Sequence, residues 1–227
     1  LELWLTYQKH WCEHKPSVTI SVKEDEWGGY VSGEMTPEKR LKPGTLTSGI
    51  LGNPGGLAGV WAEENSRDAI FNAMQRREVF GTSGPRILPR FFGAWSYPTD
   101  ICGSPNMLSE AYASGVPMGA DLYTMPGDAS KPTFIVSALQ DPAGEATPLQ
   151  QLQLIKGWAN KEGKAHFKIF TAAGSPDNGA GVDTLTGQRF GEGHESLCAV
   201  FTDEEFDAGL PAYYYLRVVE NPSPRWS

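Results

Sequence analysis

The sequence predicts an α/β segment over residues 1–86 followed by an all-β domain over residues 87–227, and three observations support this. Between residues 57 and 87, an apolar run, a helix-like run and an extended run follow in the order typical of α/β folds. After residue 87, successive segments carry the period-two pattern of β-strands. The 26 glycines and 17 prolines indicate many turns, as in β-rich folds.

The N-terminal 56 residues offer few regular elements. LELWLTYQKHW has apolar side chains at near-helical spacing, which predicts a short helix end. VTISV at 18–22 has the β-branched composition of a strand. Residues 23–56 are polar and rich in glycine and proline, so we expect a long surface loop of the kind that is often functional.

The next segment predicts a strand followed by a helix. LAGVWA at 57–62 is bounded by Gly-Gly and by carboxylates, as in a buried strand. Asn65 is placed to cap the helix, and Asp68 follows three residues later as in a capping box. Arg76 and Arg77 then fall in the last turn, where the helix dipole favours cations.

The rest of the chain predicts strands and no helix. Alternating side chains in successive segments, separated by glycine, proline and aspartate, indicate an antiparallel β-sandwich. The predicted strands are ILPRFFGAW at 87–95, TFIVSALQ at 133–140, LQQLQLIKGW at 149–158, AHFKIFTA at 165–172, SLCAVFTD at 196–203 and PAYYYLRVVE at 211–220.

Composition and charge exclude some partners. The formal net charge of −8 is spread along the chain, which argues against nucleic acid or an anionic membrane surface as the main partner. No apolar run approaches the ~20 residues of a membrane span. The chain begins with leucine and no basic-then-apolar leader follows, so we expect a fragment or a processed product.

The cysteines and histidines give no metal-binding motif. Cys12, Cys102 and Cys198 include no CxxC pair, and they allow either one disulfide with an odd thiol or three buried thiols. His10 and His14 have the one spacing that would suit a metal on a helix, although a solvated helix end explains it more simply. We expect the two later histidines, His166 and His194, to pack or form hydrogen bonds locally.

Two stretches contain candidate catalytic or ligand-binding residues. Glu63 and Glu64 follow a predicted strand and precede a helix, the place where ligands collect in parallel α/β folds. The simpler alternative is that both carboxylates only stabilise the helix N terminus. In TSGPRI, Ser83 and Arg86 could surround an anion, whereas the alternative is a tight turn built on Gly84 and Pro85.

Aromatic side chains suggest a second kind of site. They could form a carbohydrate-binding platform on the sandwich, although aromatic residues in strands commonly belong to the core. The residues concerned are Trp158, Tyr213, Tyr214, Tyr215 and Trp226.

A further signal comes from the order and spacing of six blocks. These are VWAEENSRDAIFNAMQRREVFGTSGPRI, GVPMGADL, TPLQQLQLIKGW, SPDNGAGVD, SLCAVFTD and AYYYLRVVENPSPRWS. Together they resemble the bacterial family catalogued as domain of unknown function 3604, over residues 23–227. That family is similar to the PHP-type (CehA/McbA-like) metallohydrolases of esters and carbamates.

This resemblance implies a fold and a metal site. Residues 1–86 would be the closing strand–helix segment of a PHP-like (β/α) barrel, and residues 87–227 an attached antiparallel β-sandwich. In such proteins histidines and carboxylates hold the metal, and part of them come from an N-terminal HxH block. This chain has no HxH block, and its CEHKPS stretch holds Glu13 and His14 adjacent rather than spaced. The zinc, manganese or iron ion would therefore belong to the complete protein, with none bound by this chain alone.

The implied function is that of the C-terminal portion of a metal-dependent hydrolase of the ester, carbamate or phosphoester class. Glu63, Glu64 and Asn65 would line the metal site as catalytic residues, and Ser83 and Arg86 would bind a small-molecule substrate. The implied partner is a preceding N-terminal barrel segment, and export signals common in the family favour a periplasmic or secreted location. The alternatives are a β-sandwich module that binds a glycan or a protein without catalysis, and a structural role in a homo-oligomer.

Overall fold

The structure is a computed structural model in which residues 56–122, 127, 131–144 and 146–224 are described, mostly as antiparallel β-sheet with two α-helices. Within these ranges the strands form no closed barrel. The helix end and the strand expected before residue 56 lie outside the described residues, as does Cys12.

The strand–helix–strand order after Gly56 is confirmed, but the two strands are antiparallel. β1 (Leu57–Val60) and β2 (Val79–Thr82) form a two-stranded ribbon, with α1 (Arg67–Gln75) between them in the chain. The prediction that β1 is a buried strand is wrong, because its residues are exposed or half-buried. In the described part of the chain this ribbon pairs with no further strand.

α1 is capped one residue later than predicted. The helix begins after Ser66, whose Oγ accepts a hydrogen bond from the Ala69 N–H at 3.2 Å, so the prediction of Asn65 as the cap is wrong. Ser66 has the extended backbone that a cap requires, and its short side chain reaches the third N–H of the helix.

The helix ends earlier than predicted as well. Gln75 is its last residue, so both arginines lie beyond it, with Arg76 as the C-cap. Arg77 follows in the left-handed region with φ 61°, and its backbone lies against Gly119, where an added Cβ would come within 2.2 Å of the Arg77 carbonyl oxygen. This close approach requires glycine at position 119.

All six strands predicted after residue 87 are confirmed. The strands of this half are β3 (Leu88–Ala94), β4 (Val116–Pro117), β5 (Thr133–Leu139), β6 (Leu149–Ala159), β7 (Ala165–Gly174), β8 (Gly181–Val182), β9 (Arg189–Phe190), β10 (Ser196–Thr202) and β11 (Ala212–Glu220). They form two sheets, the first with the order β10–β5–β3–β4 and the second β11–β6–β7, and every pair is antiparallel. The short strands β8 and β9 form a separate ribbon.

The prediction that this half contains no helix is wrong. A 3-10 helix (Ile101–Gly103) and α2 (Met107–Ser114) connect β3 to β4. α2 has only eight residues and no side-chain N-cap bond, so its sequence carries little helical signal. Tertiary packing holds it instead, since Ala111 is fully buried and its carbonyl accepts a hydrogen bond from the Tyr97 hydroxyl.

The two sheets face each other across a shared hydrophobic core. β3 lies against β11, β5 against β6 and β10 against β7. Each large side chain buried here contributes about 1.5–3 kcal/mol. The buried residues of this core are Ile87, Phe134, Val136, Ala138, Leu149, Leu152 and Leu154.

A disulfide between Cys102 and Cys198 fastens the 3-10 helix to β10, which decides between the two cysteine alternatives left open by the sequence. The Cα atoms are 5.8 Å apart, within the usual range for a disulfide. No helix among the described residues is long and apolar enough to cross a membrane.

Candidate functional site

The predicted catalytic residues lie in an exposed turn between β1 and α1. Glu63, Glu64 and Asn65 are all exposed. Glu63 Oε1 accepts a hydrogen bond from Arg76 Nη2 at 3.1 Å, and its side chain stays 70% exposed. The turn therefore presents its carboxylates to solvent, with one of them steadied from the end of the helix.

The predicted substrate-binding residues lie at the other end of the ribbon. Val60 pairs with Val79 and Leu57 with Thr82, so the turn after β1 and the turn after β2 are separated by the length of the ladder. Three residue steps correspond to about 10 Å. The ribbon therefore does not bring Glu63 and Ser83 together.

The TSGPRI stretch has the geometry of a tight turn. Thr82 Oγ1 accepts a hydrogen bond from the Gly84 N–H at 3.1 Å, and Gly84 has φ 138°. The backbone N–H of Arg86 donates to Asp141 Oδ2 at 2.7 Å. Together with the N–H of Ala143, this bond holds the pKa of the Asp141 carboxyl below its usual value.

A charged network that the sequence analysis missed lies beneath the ribbon. Glu78, only 4% exposed, accepts hydrogen bonds from the Tyr112 hydroxyl and from Arg76 Nη2. Burial, together with the nearby Glu78 carboxylate, raises the pKa of Tyr112 to about 12. Arg76 thus connects the exposed Glu63 to a buried carboxylate that follows the helix.

The same network joins the ribbon to β3. The Arg90 guanidinium stacks 3.3 Å from the centroid of the Trp61 ring, and Trp61 Nε1 donates to the Pro89 carbonyl at 3.0 Å. Burial lowers the pKa of Arg90, while Tyr112 and Glu78 act in the opposite direction.

A groove of about 1230 Å³ lies beside the ribbon and the two sheets. β2 and β11 form its walls, β3 contributes its floor, and the segment from Val116 to Leu122 lines one side. Ser83 is the one predicted catalytic or substrate-binding residue among its lining residues, whereas Glu63 and Arg86 are not among them. The aromatic candidates Tyr213, Tyr214 and Tyr215 also line the groove.

A buried ion pair lies next to the groove. Lys156 Nζ is 2.5 Å from Asp203 Oδ2, and the Tyr214 hydroxyl donates to the same oxygen at 2.6 Å. The two charged side chains are 7% and 0% exposed, respectively. Lys156 Nζ also donates to the Glu205 carbonyl at 2.9 Å. These contacts connect β6, β11 and the turn after β10.

Electrostatics in this cluster favour the ionised carboxylate. Burial alone would raise the pKa of Asp203, but hydrogen bonds from Lys156, Tyr214 and the Glu205 N–H outweigh it and lower that pKa. Burial and the neighbouring carboxylate raise the pKa of the Tyr214 hydroxyl, which therefore remains a donor. The sequence missed this pairing because the partners are 47 and 11 residues apart along the chain.

The described residues provide no cluster of three or more His, Cys, Asp or Glu side chains that could hold a metal ion. The His166 ring stacks on Trp158 with centroids 5.5 Å apart, and the backbone of His194 bridges to Leu149. The metal-ligand spacing of His10 and His14 lies outside the described residues.

The tyrosine run of β11 divides between the two faces of its sheet. Tyr213 and Tyr215 are 63% and 47% exposed, and their rings stack at 12° with centroids 6.4 Å apart. Phe167 on β7, 72% exposed, belongs to the same sheet. Tyr214 points instead toward Asp203 and the core. Trp226 lies outside the described residues.

Comparison with known proteins gives one family. The family model described as "Protein of unknown function (DUF3604)" matches residues 14–227. Neither the curated proteins nor the solved structures contain a match.

Proposed function

The chain belongs to the DUF3604 family of proteins of unknown function, and on that premise we propose that it is the C-terminal portion of a metal-dependent hydrolase. The substrate would be a small ester, carbamate or phosphoester. A preceding N-terminal barrel segment would hold the zinc, manganese or iron ion, and this chain would supply closing and accessory elements. The likeness of the family to PHP-type metallohydrolases is what suggests this class of reaction.

The proposal is supported by the Glu63–Asn65 turn, whose side chains are exposed to solvent. Arg76 Nη2 lies 3.1 Å from Glu63 Oε1, and the same guanidinium forms an ion pair with the buried Glu78. The exposed Glu63 carboxylate is therefore held in place by an arginine that is itself anchored. A general base needs a fixed side-chain position, because its geometry must be set before the substrate arrives. In this role Glu63 or its neighbour Glu64 would accept a proton from the attacking water.

The described residues do not fit a complete metal site. Glu63 is paired with a cation, and no three potential ligands converge in the part of the chain that the structure describes. The metal ligands would therefore belong to the preceding segment. When bound there, the ion would supply a hydroxide nucleophile near neutral pH.

The test uses the longer protein with its N-terminal segment, assayed for metal content and for hydrolysis of ester, carbamate and phosphoester substrates. Glu63→Gln or Glu64→Gln is expected to lower kcat/KM by about 10²- to 10⁴-fold, because a positioned proton acceptor is lost. Glu195→Gln, at another exposed site, is the matched control and should leave kcat/KM unchanged. Full activity in both turn variants would contradict the catalytic assignment.

A second candidate, glycan binding, is favoured by the exposed pair Tyr213 and Tyr215. Two nearly parallel aromatic rings on a sheet face suit stacking against sugar rings. Tyr213→Ala or Tyr215→Ala is expected to raise the Kd for a β-linked hexasaccharide about tenfold in calorimetric titration. Tyr214→Phe is the control, because that ring points inward and should not affect binding. Absence of binding across a glycan array would count against this candidate.

A further inference from the structure

The lining of the groove shows which parts of each strand face it. The floor uses residues from the β3 region at every second position, which means that one sheet face is turned toward the groove. β2 and β11 instead contribute consecutive residues, and consecutive side chains alternate between faces. A strand whose consecutive residues all line a cavity turns its backbone edge, and not one of its faces, toward that cavity. The floor residues of the β3 region are Ile87, Pro89, Phe91, Gly93 and Trp95.

The two edges that form the walls pair with no other described strand. β11 is hydrogen-bonded to β6 on one side, and β2 to β1 on one side. Among the described residues no strand pairs with their opposite sides. Each wall is therefore a row of backbone N–H and C=O groups above an apolar floor, which is the surface an extended polypeptide matches.

The layering of the two sheets leaves room for one more strand. β3 lies against β11, β5 against β6 and β10 against β7, whereas β4 has its main contacts with β3 and α2. The sheet that contains β4 has four strands and the facing sheet has three. A strand added beside β11 would lie across from β4 and would give both sheets four strands.

The charged residues that line the groove indicate the chemistry of a molecule that would bind there. Its charged lining residues are Arg77, Asp121, Arg217 and Glu220, two of each sign. Arg77 and Asp121 lie 3.7 Å apart as a pair at the rim. Glu220 Oε1 is buried and accepts no hydrogen bond from any described residue, although Arg189 lies near enough to influence the carboxyl. A hydrogen-bond donor on a molecule bound in the groove would pair with this oxygen.

We infer that the groove binds an extended partner polypeptide, which adds as a strand to the outer edge of β11. Every second residue of this segment is apolar and faces β4 and the adjoining β3 floor, and a lysine or arginine at the end beside Glu220 donates to its unpaired carboxylate oxygen. This inference goes beyond the proposed function and does not depend on it, because strand addition needs only the groove and the edge.

The experiment uses the 227-residue chain and the synthetic peptide acetyl-Lys-Ser-Val-Thr-Val-Ser-Val-Thr-amide. Fluorescence anisotropy is expected to show saturable binding, and hydrogen exchange should slow at alternate amides of Ala212–Glu220 when the peptide is present. The same peptide with N-methyl groups on alternate amides keeps its side chains but loses the edge hydrogen bonds, so its Kd should rise at least tenfold. Glu220→Gln should weaken the lysine peptide about fivefold, with Glu192→Gln as the matched control.

Several results would overturn the inference. Equal affinity for the methylated and unmethylated peptides would show that the β11 edge is not used. Slow exchange at the outer amides of β11 in the peptide-free, dilute chain would show that the edge is already paired. Concentration-dependent dimerisation in sedimentation experiments that prevents the peptide from binding would assign the groove to a second copy. None of these readouts depends on hydrolysis, so failure here leaves the proposed enzyme function standing, and loss of that function leaves this inference standing.

Discussion

Replacement of Asp203 by alanine is expected to lower the free energy of unfolding by about 3–5 kcal/mol. The substitution leaves the Lys156 ammonium, only 7% exposed, without the carboxylate that compensates its burial. It also removes the acceptor for the Tyr214 hydroxyl and for the Glu205 N–H, so three donors lose a partner together. The loss should appear as a lower midpoint with an unchanged slope in urea unfolding.

The matched control is Asp207→Ala, which removes a carboxylate from the same connection between β10 and β11 at an exposed position. A change within about 0.5 kcal/mol is expected there. The double variant Lys156→Met/Asp203→Leu removes both charges at once and should recover much of the lost stability. If Asp203→Ala were as mild as Asp207→Ala, the ion pair would not stabilise the domain.

The same carboxylate predicts a dependence of stability on pH. Because the folded-state pKa of Asp203 is lowered, its contribution is fully present above the unfolded-state pKa of about 4. It is lost as the pH falls through the folded-state value. Urea midpoints measured from pH 7 to pH 3 should therefore fall more steeply below about pH 4 in the wild type than in Asp203→Asn.

Removal of the Cys102–Cys198 disulfide is expected to lower the free energy of unfolding by about 4 kcal/mol. The bond closes a segment with a sequence separation of 96 residues, and opening so long a loop increases the freedom of the unfolded chain. Guanidinium unfolding of Cys102→Ala/Cys198→Ala measures the loss. A reductant should bring the wild type down to the double variant and leave the variant itself unchanged. Equal stability of the two proteins before reduction would contradict the prediction.

Period-two patterns predicted β7 and β11 well, because each of these strands exposes one face more than the other. β7 illustrates this, since exposed and half-buried residues alternate along it. α2 escaped prediction because tertiary contacts, such as the burial of Ala111, hold a helix too short to show its own period. Pairing direction also lies beyond a local pattern, so the antiparallel register of β1 with β2 could not be anticipated.

The candidate site residues lie apart in the structure. Ser83 does line the groove, but the turn that holds Glu63 lies at the opposite end of the ribbon, because antiparallel pairing separates what a parallel sheet would bring to one edge. The wall formed by β11 and the Lys156–Asp203 pair depend on contacts between distant segments. The spacing of residues along the sequence does not show such contacts.

The disulfide also sets the order in which the protein matures. Cys198 leaves the ribosome 96 residues after Cys102, a delay of about 5–20 s at ordinary rates of synthesis. During that interval the earlier thiol has to remain reduced and unpaired with other thiols. β10, which carries Cys198, pairs with β5 and completes the four-stranded sheet only after this interval, so neither the disulfide nor the complete sheet can form earlier. An oxidising compartment that the chain enters after synthesis would let the disulfide form.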